Sequence, residues 1–143
     1  MTFREWKYED IAEISQLEKL CFSDPWTYKM LADSFMSSNF YNVLCEEDGK
    51  IVGYAGAVLA FDEADIALVA VDENYRGKGI GKKLLKNLQK TLKKKGIVKV
   101  FLEVRVSNSS AIVLYLKSGF VGKSVRSKYY GDGEDAIVME KIL

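Results

Sequence analysis

Three glycines at alternate positions, Gly77, Gly79 and Gly81, stand among Arg76, Lys78 and Lys82. Glycine lets a backbone approach a ligand closely, and a helix N-terminus offers unpaired N–H groups with partial positive charge. An apolar run, Ile66 to Val71, leads into this loop as a buried strand. A helical pattern follows it, with Ile80, Leu84, Leu85, Leu88 and Leu92 on one face. The spacing therefore predicts a phosphate cradle at a strand-to-helix turn. Two familiar phosphate loops do not fit it. Counting back from Gly81-Lys82, a P-loop would need glycine where Arg76 stands and Ser or Thr where Lys83 stands. A dinucleotide fingerprint would need its third glycine at Lys82 or Leu84.

A second candidate is Glu103, on a strand whose neighbours Phe101, Leu102 and Val104 are apolar. With the period of two of a strand, Glu103 shares a face with Phe101 and Arg105, opposite Leu102 and Val104. A carboxylate there is expected to be partly desolvated, which suits it to accept a proton. Pairing with Arg105 for structure is the other reading of the same position. The chain has no histidine, which removes Ser-His, Cys-His and zinc-His chemistry. Cys21 and Cys45 are isolated, with neither metal-ligand nor redox-pair spacing. No basic residue adjoins either in sequence to activate its thiol.

The elements that must position these groups follow from patterning. A first strand is expected over 2–8, then a helix capped by Asp10 and running to Cys21, apolar at Ile11, Ile14, Leu17, Leu20 and Cys21. The only proline, Pro25, breaks the chain before a second helix over 27–37, apolar at Met30, Leu31 and Phe35. Strands over 40–47 and 50–61 are joined by Asp48-Gly49, a strong hairpin signal. Residues 62–65 are expected to turn into the strand that ends at the glycine loop. After the long helix 79–94, Gly96 is the stop. A strand over 98–104, a short helix begun by Ser107-Asn108-Ser109-Ser110, and strands over 121–127 and 136–142 complete the order.

At 143 residues, with 48% hydrophobic and 29% charged residues, the chain reads as one ordinary soluble domain over 1–143. Its net charge of +1 gives no overall case for nucleic acid or membrane. No signal peptide opens it, and no apolar stretch reaches the roughly 18 residues of a membrane span. A reduced, cytoplasmic protein is the expectation.

The spelling Arg76-Gly77-Lys78-Gly79-Ile80-Gly81 resembles the Arg-x-x-Gly-x-Gly pyrophosphate motif of the GNAT (Gcn5-related) N-acetyltransferases, which bind coenzyme A. The element order is similar to that fold along essentially the whole chain. Leu102 to Asn108, followed by Ala111 and Tyr115-x-x-x-Gly119-Phe120, resembles the RimI branch, the bacterial ribosomal-protein-alanine N-acetyltransferases. So do Pro25-Trp26 and the ending Tyr129-Tyr130 with 134–139. The resemblance implies an α+β fold: a mixed, mostly antiparallel sheet of about seven strands, about four helices, and a splayed parallel strand pair at the acetyl-CoA site.

It also implies roles. Glu103 is the general base and Tyr115 the general acid that protonates the departing thiolate, with a core aromatic as the other reading of Tyr115. Val69, Ala70 and Val71 pair with the pantetheine arm, and the Val71 N–H serves the oxyanion. Arg76, Gly77, Lys78, Gly79, Ile80, Gly81 and Lys82 hold the pyrophosphate. Asn108 is either a coenzyme contact or a plain helix cap. Trp26, Tyr129 and Tyr130 either wall a peptide groove or pin their loops. The acidic group Asp62, Glu63 and Asp65 either suits a basic peptide, through Glu63, or is a solvated turn. Nine basic and no acidic residues lie from Arg76 to Lys95, which marks a solvated helix face or a field that attracts phosphates. An α-amine, with a pKa of about 8, needs only a modest base, whereas a lysine side chain at about 10.4 needs more help.

The expected activity is transfer of acetyl from acetyl-CoA to a protein N-terminal α-amine, the alanine of a small-subunit ribosomal protein, by direct attack in a ternary complex. No metal, specific nucleic acid or membrane is implied, and the chain is expected to be a monomer or weak dimer. Two other readings remain open: acetylation of a small amine such as a polyamine or aminoglycoside, and a non-catalytic acyl-CoA-binding module.

Overall fold

The computed structural model describes residues 1–143. Its seven strands are β1 (Thr2–Arg4), β2 (Phe40–Glu47), β3 (Lys50–Ala60), β4 (Glu63–Val71), β5 (Lys99–Arg105), β6 (Val121–Arg126) and β7 (Ala136–Ile142). The helices are α1 (Ile11–Cys21), α2 (Tyr28–Met36), α3 (Ile80–Lys94) and α4 (Ser109–Lys117). One sheet holds all the strands in the order β1-β2-β3-β4-β5-β7-β6. Every pairing is antiparallel except β4 with β5, which is parallel. No helix is long and apolar enough to cross a membrane.

Each face of the sheet has its own core. On one, the buried stripe of α3 (Ile80, Leu84, Leu85, Leu88, Leu92) packs with Val100, Leu102, Val104, Tyr115 and Phe120. On the other, Ile11, Ile14, Leu17 and Leu31 of α1 and α2 cover Leu44, Tyr54, Leu68 and Ala70. Strand β4 contributes to both. Ala64 and Ile66 lie in the α3-side core, whereas Leu68 and Ala70 lie in the α1/α2-side core. The switch has a visible cause. In the ladder with β3, Ile66 opposes Ala57 and Leu68 opposes Gly56, so Ala67 is an extra residue, a β-bulge. The bulge turns the strand, and pairing with β5 ends just before it, at Asp65↔Phe101. Beyond that point β4 and β5 part.

Local chemistry explains most element ends. Asp48 and Gly49 take φ of 53° and 75°, the left-handed pair of a tight hairpin turn. Thr27 caps α2 by accepting from the Met30 N–H at 3.1 Å. Several expectations are corrected. The first strand stops at Arg4, and a 3-10 turn over Tyr8–Asp10 precedes α1. Asp10 does not cap α1 with its side chain. It accepts from the Lys7 N–H at 2.6 Å and from Arg4 at 2.8 Å, which ties β1 to that turn. Leu20 and Met30 are exposed, because the buried stripes of α1 and α2 are narrower than their apolar spacing suggests. Glu63 and Asp65 are strand residues of β4, not part of a turn.

A buried acid anchors the α1–α2 connection. Glu18, 2% exposed, accepts from the Tyr54 hydroxyl and, at 2.9 Å, from the Trp26 N–H. Burial pushes its carboxyl above the usual range. Replacing Glu18 with Ala leaves both donors without a partner in the core. We expect Glu18→Ala to cost ~2–4 kcal/mol, read as a lower urea midpoint, with Glu18→Gln retaining a large part of the loss.

Candidate active site

The parting of β4 and β5 opens a cavity of about 760 Å3 at the N-terminal end of α3, within the usual size range of ligand sites. Gly77 and Gly79 adopt φ of 78° and 79°, the left-handed region, and nothing lies within 4 Å of where a Cβ would stand on either. They shape the turn so that it presents backbone to the cavity. Gly79 is the residue before α3, so the free N–H groups of the helix start here. Gly81 serves another purpose: a Cβ on it would come 3.0 Å from Leu114 Cδ2, so its absence lets α3 and α4 close together. Arg76, Lys82 and Lys117 bring positive charge to the same wall. A cationic, glycine-backed helix start is the donor set that a pyrophosphate needs.

Of the residues expected here, Val69, Ala70, Val71, Arg76, Gly77, Gly79, Ile80, Gly81, Lys82, Asn108 and Tyr115 all line the cavity. Lys78 does not; its ammonium lies 5.1 Å from the centre of the Tyr75 ring. The ladder alternation assigns the strand's backbone groups. Asp72 N–H donates to Val52 O at 2.8 Å, so Ala70 and Asp72 direct their amides to β3. Val69 and Val71, which alternate with them, turn theirs to the gap. The Val71 carbonyl is already taken, accepting from Arg76 Nε at 3.1 Å. Asn108 caps α4, accepting from the Ala111 N–H at 3.3 Å, and also lines the cavity. Tyr115 is 8% exposed and stands edge-on to Phe120, with ring centres 6.0 Å apart. Burial raises its phenol further, so it keeps its proton at neutral pH.

Cys21 also borders the cavity, and its sulfur lies 4.0 Å from Arg76 Nη2. No basic residue adjoins this thiol along the chain; the fold supplies one. Burial outweighs it and pushes the thiol up, away from the reactive form.

Glu103 lies outside this cavity, on the sheet face that α1 and α2 leave open beyond β4. The strand alternates as expected: Val100, Leu102 and Val104 are buried toward α3, and Phe101, Glu103 and Arg105 face the other way. The register of β5, β7 and β6 puts Glu103, Val138 and Ser124 in one row and Arg105, Ala136 and Arg126 in the next. The ion partner of Glu103 is therefore Arg126, at 3.8 Å, and not Arg105. The Glu103 side chain is only 10% exposed.

Arg105 has a separate task. It reaches Asp132 at 2.8 Å, Glu134 at 3.0 Å and Asp24 at 3.4 Å, and its guanidinium lies 4.0 Å from the centre of the Tyr130 ring. One cation thus holds the α1–α2 and β6–β7 connections together over the open face. Sequence reasoning missed this; the run Asp132 to Asp135 was its only trace. Tyr129 lies near Arg126, 5.5 Å from ring centre to guanidinium. Tyr130 is half-buried, and its phenol is pushed up to about 12, mainly by burial. Trp26 is turned into the α1/α2-side core, and Glu63 pairs with Lys99 at 3.5 Å on the row below the opening. The remaining lysines of α3 beyond the first turn lie mostly on its solvent face.

Residues 11–120 match the family model described as the acetyltransferase (GNAT) family. A relative from Escherichia coli K12, named ribosomal protein bS18-alanine N-acetyltransferase, is 35% identical over 133 residues, 91% of this chain and 89% of that protein. The crystal structure of the ribosomal-protein-S18-alanine N-acetyltransferase from Escherichia coli superposes with a TM-score of 0.90 at 33% identity, covering 99% of this chain and 92% of that one. Ard1 from Thermoplasma volcanium gives 0.93 at 29% identity, covering 99% and 97%.

Arg105→Met removes the shared partner of three carboxylates. It is expected to cost ~1–2 kcal/mol, since hydrogen bonds to a half-buried charge are lost. Limited proteolysis should then cut faster within 128–135, and an unchanged cleavage rate would show that the clamp does not restrain this loop.

Proposed function

The chain belongs to the acetyltransferase (GNAT) family, and from that we propose that it moves the acetyl group of acetyl-CoA to the α-amine of a protein N-terminus, an N-terminal alanine of a small-subunit ribosomal protein. The observation that carries this reading is the opening between β4 and β5, with a pyrophosphate-type cradle on one side and a shielded carboxylate, Glu103, on the other. The E. coli relative's name, at 35% identity over 91% of this chain, supports the acceptor.

Acetyl-CoA supplies an activated thioester; the residues of the chain bind, orient and move protons around it. The glycine turn over 77–81, with Arg76 and Lys82, holds the phosphates. The backbone of Val69 and Val71, turned to the gap, offers strand-like hydrogen bonds to the pantetheine arm, and the Val71 N–H serves the acetyl oxygen. Glu103 accepts the proton from the attacking α-amine. This is a modest demand, because that amine's pKa of about 8 lies near the working pH. Tyr115, protonated throughout, donates to the leaving sulfur. Attack is direct, since the half-buried Cys21 thiol, pushed up by desolvation, is poorly suited to carry the acetyl group. Tyr129 and Tyr130, near Glu103 and Arg105, flank the acceptor path.

The test is coenzyme A release with three acceptors: a basic hexapeptide starting with alanine, the same peptide N-terminally blocked but containing lysine, and spermidine. Turnover with the free alanine terminus alone is expected. Turnover with spermidine or the blocked peptide would discard the α-amine assignment, and tight acetyl-CoA binding without turnover would point to a binding module. Glu103→Gln and Tyr115→Phe are each expected to lower kcat by about 10²–10⁴-fold, with acetyl-CoA binding kept.

A further inference from the structure

Asp65 is the last residue of β4 to pair with β5 before the strands part. It opposes Phe101, so its side chain lies on the face that carries Glu103 two residues further along β5. One of its carboxyl oxygens, Oδ1, is fully buried and has no hydrogen-bond partner, the only such side-chain atom in the protein. No ion pair reaches it. Glu63 and Glu140, on the same face, share Lys99, and Glu103 has Arg126, but Asp65 has none. A buried carboxylate oxygen without a donor is costly, and a proton on the group removes most of the cost.

Two charged groups act on Asp65: Glu103 from β5 and Arg126 from β6. Tyr129, from the β6–β7 connection, is in turn acted on by both Asp65 and Glu103, so the four groups form one electrostatic unit. Burial, and then the charge of Glu103, push the Asp65 carboxyl up to about 6. Glu103 is thus the like charge that acts on Asp65, and Arg126 the opposite one.

We infer that Asp65 is a positioning residue for proton removal: its buried, unpartnered carboxyl shares a sheet face with Glu103, and the repulsion between the two carboxylates is relieved when Glu103 takes the acceptor's proton. This rests on Glu103 being the base. The balance is simple. The proton leaves the acceptor nitrogen for a Glu103 oxygen, and the pair passes from two negative charges to one. The change relieves the repulsion between its members, which strengthens the pull on the proton. Arg126 opposes this by favouring the ionised pair, so the two neighbours act with opposite sign.

The experiment is the pH dependence of kcat at saturating alanine peptide and acetyl-CoA, for the wild type, Asp65→Asn, Arg126→Gln and Glu103→Gln. In the wild type the acidic limb reports loading of the pair. Asp65→Asn removes one like charge, so the limb moves to lower pH by half a unit or more and the plateau falls about threefold to tenfold. The KM for acetyl-CoA is unchanged. Arg126→Gln moves the limb to higher pH. A stability readout accompanies the kinetics. The raised carboxyl favours folding below its unfolded value near 3.8 and loses that contribution as pH rises through about 6. Asp65→Asn should therefore raise Tm at pH 8, with a gain that shrinks as pH falls below about 6. An inactive Glu103→Gln beside an unmoved limb in Asp65→Asn overturns the Asp65 proposal alone. An active Glu103→Gln overturns the base assignment and this proposal with it.

Discussion

The constraint on which this protein depends is the loss of pairing between β4 and β5 after only three residue pairs. A parallel pair that continued would seal the sheet, and the cavity at the start of α3 would not exist. The extra residue Ala67 causes the break, because a bulge turns its strand and interrupts the ladder. It also exchanges the two sides of the strand, so that Ala64 and Ile66 serve one core and Leu68 and Ala70 the other. The same residue thus leaves the Val69 and Val71 amides facing a gap, just past the last β5-paired residue, Asp65.

Charge follows from the same opening. Helices α1 and α2 cover β2, β3 and the end of β4, while β5, β7 and β6 carry a face with Lys99, Glu103, Arg105, Arg126 and Glu140 on it. Most of these groups satisfy one another across adjacent rows. Arg105 gathers three carboxylates, and Lys99 gathers two. Such half-buried pairs add modest stability individually. Their stronger effect is geometric, since they fix the loops that bound the face. Glu18 does similar work from within, by holding Tyr54 and the Trp26 backbone.

Much of this was legible in the residues. The glycine turn, the Asp48-Gly49 hairpin, the apolar stripe of α3 and the alternation around Glu103 are local patterns, and local patterns are what a sequence displays. Ala67 was not legible. The run Ile66 to Val71 is apolar throughout, so one extra residue leaves no mark on its periodicity. Asp65 was read as part of a turn because it belongs to the acidic run 62–65, whereas pairing with Val58 on one side and Phe101 on the other draws it into the sheet. The partner of Glu103 was missed because neighbours in a sheet lie across strands. Arg126 is distant in sequence but one row from Glu103 in the sheet, whereas Arg105, two residues away, turns to other loops. Leu20 was misplaced because apolar residues bordering a helical stripe can remain in solvent.

The sheet also separates two inheritances. The cradle, α3 and α4 belong to one core, and the loops bounding the open face are attached to the other side through Arg105 and Glu18. Residues of the open face and its loops can therefore be exchanged without disturbing the packing behind the glycine turn. A lineage built this way can retain one currency of activated acyl groups while its choice of recipient wanders.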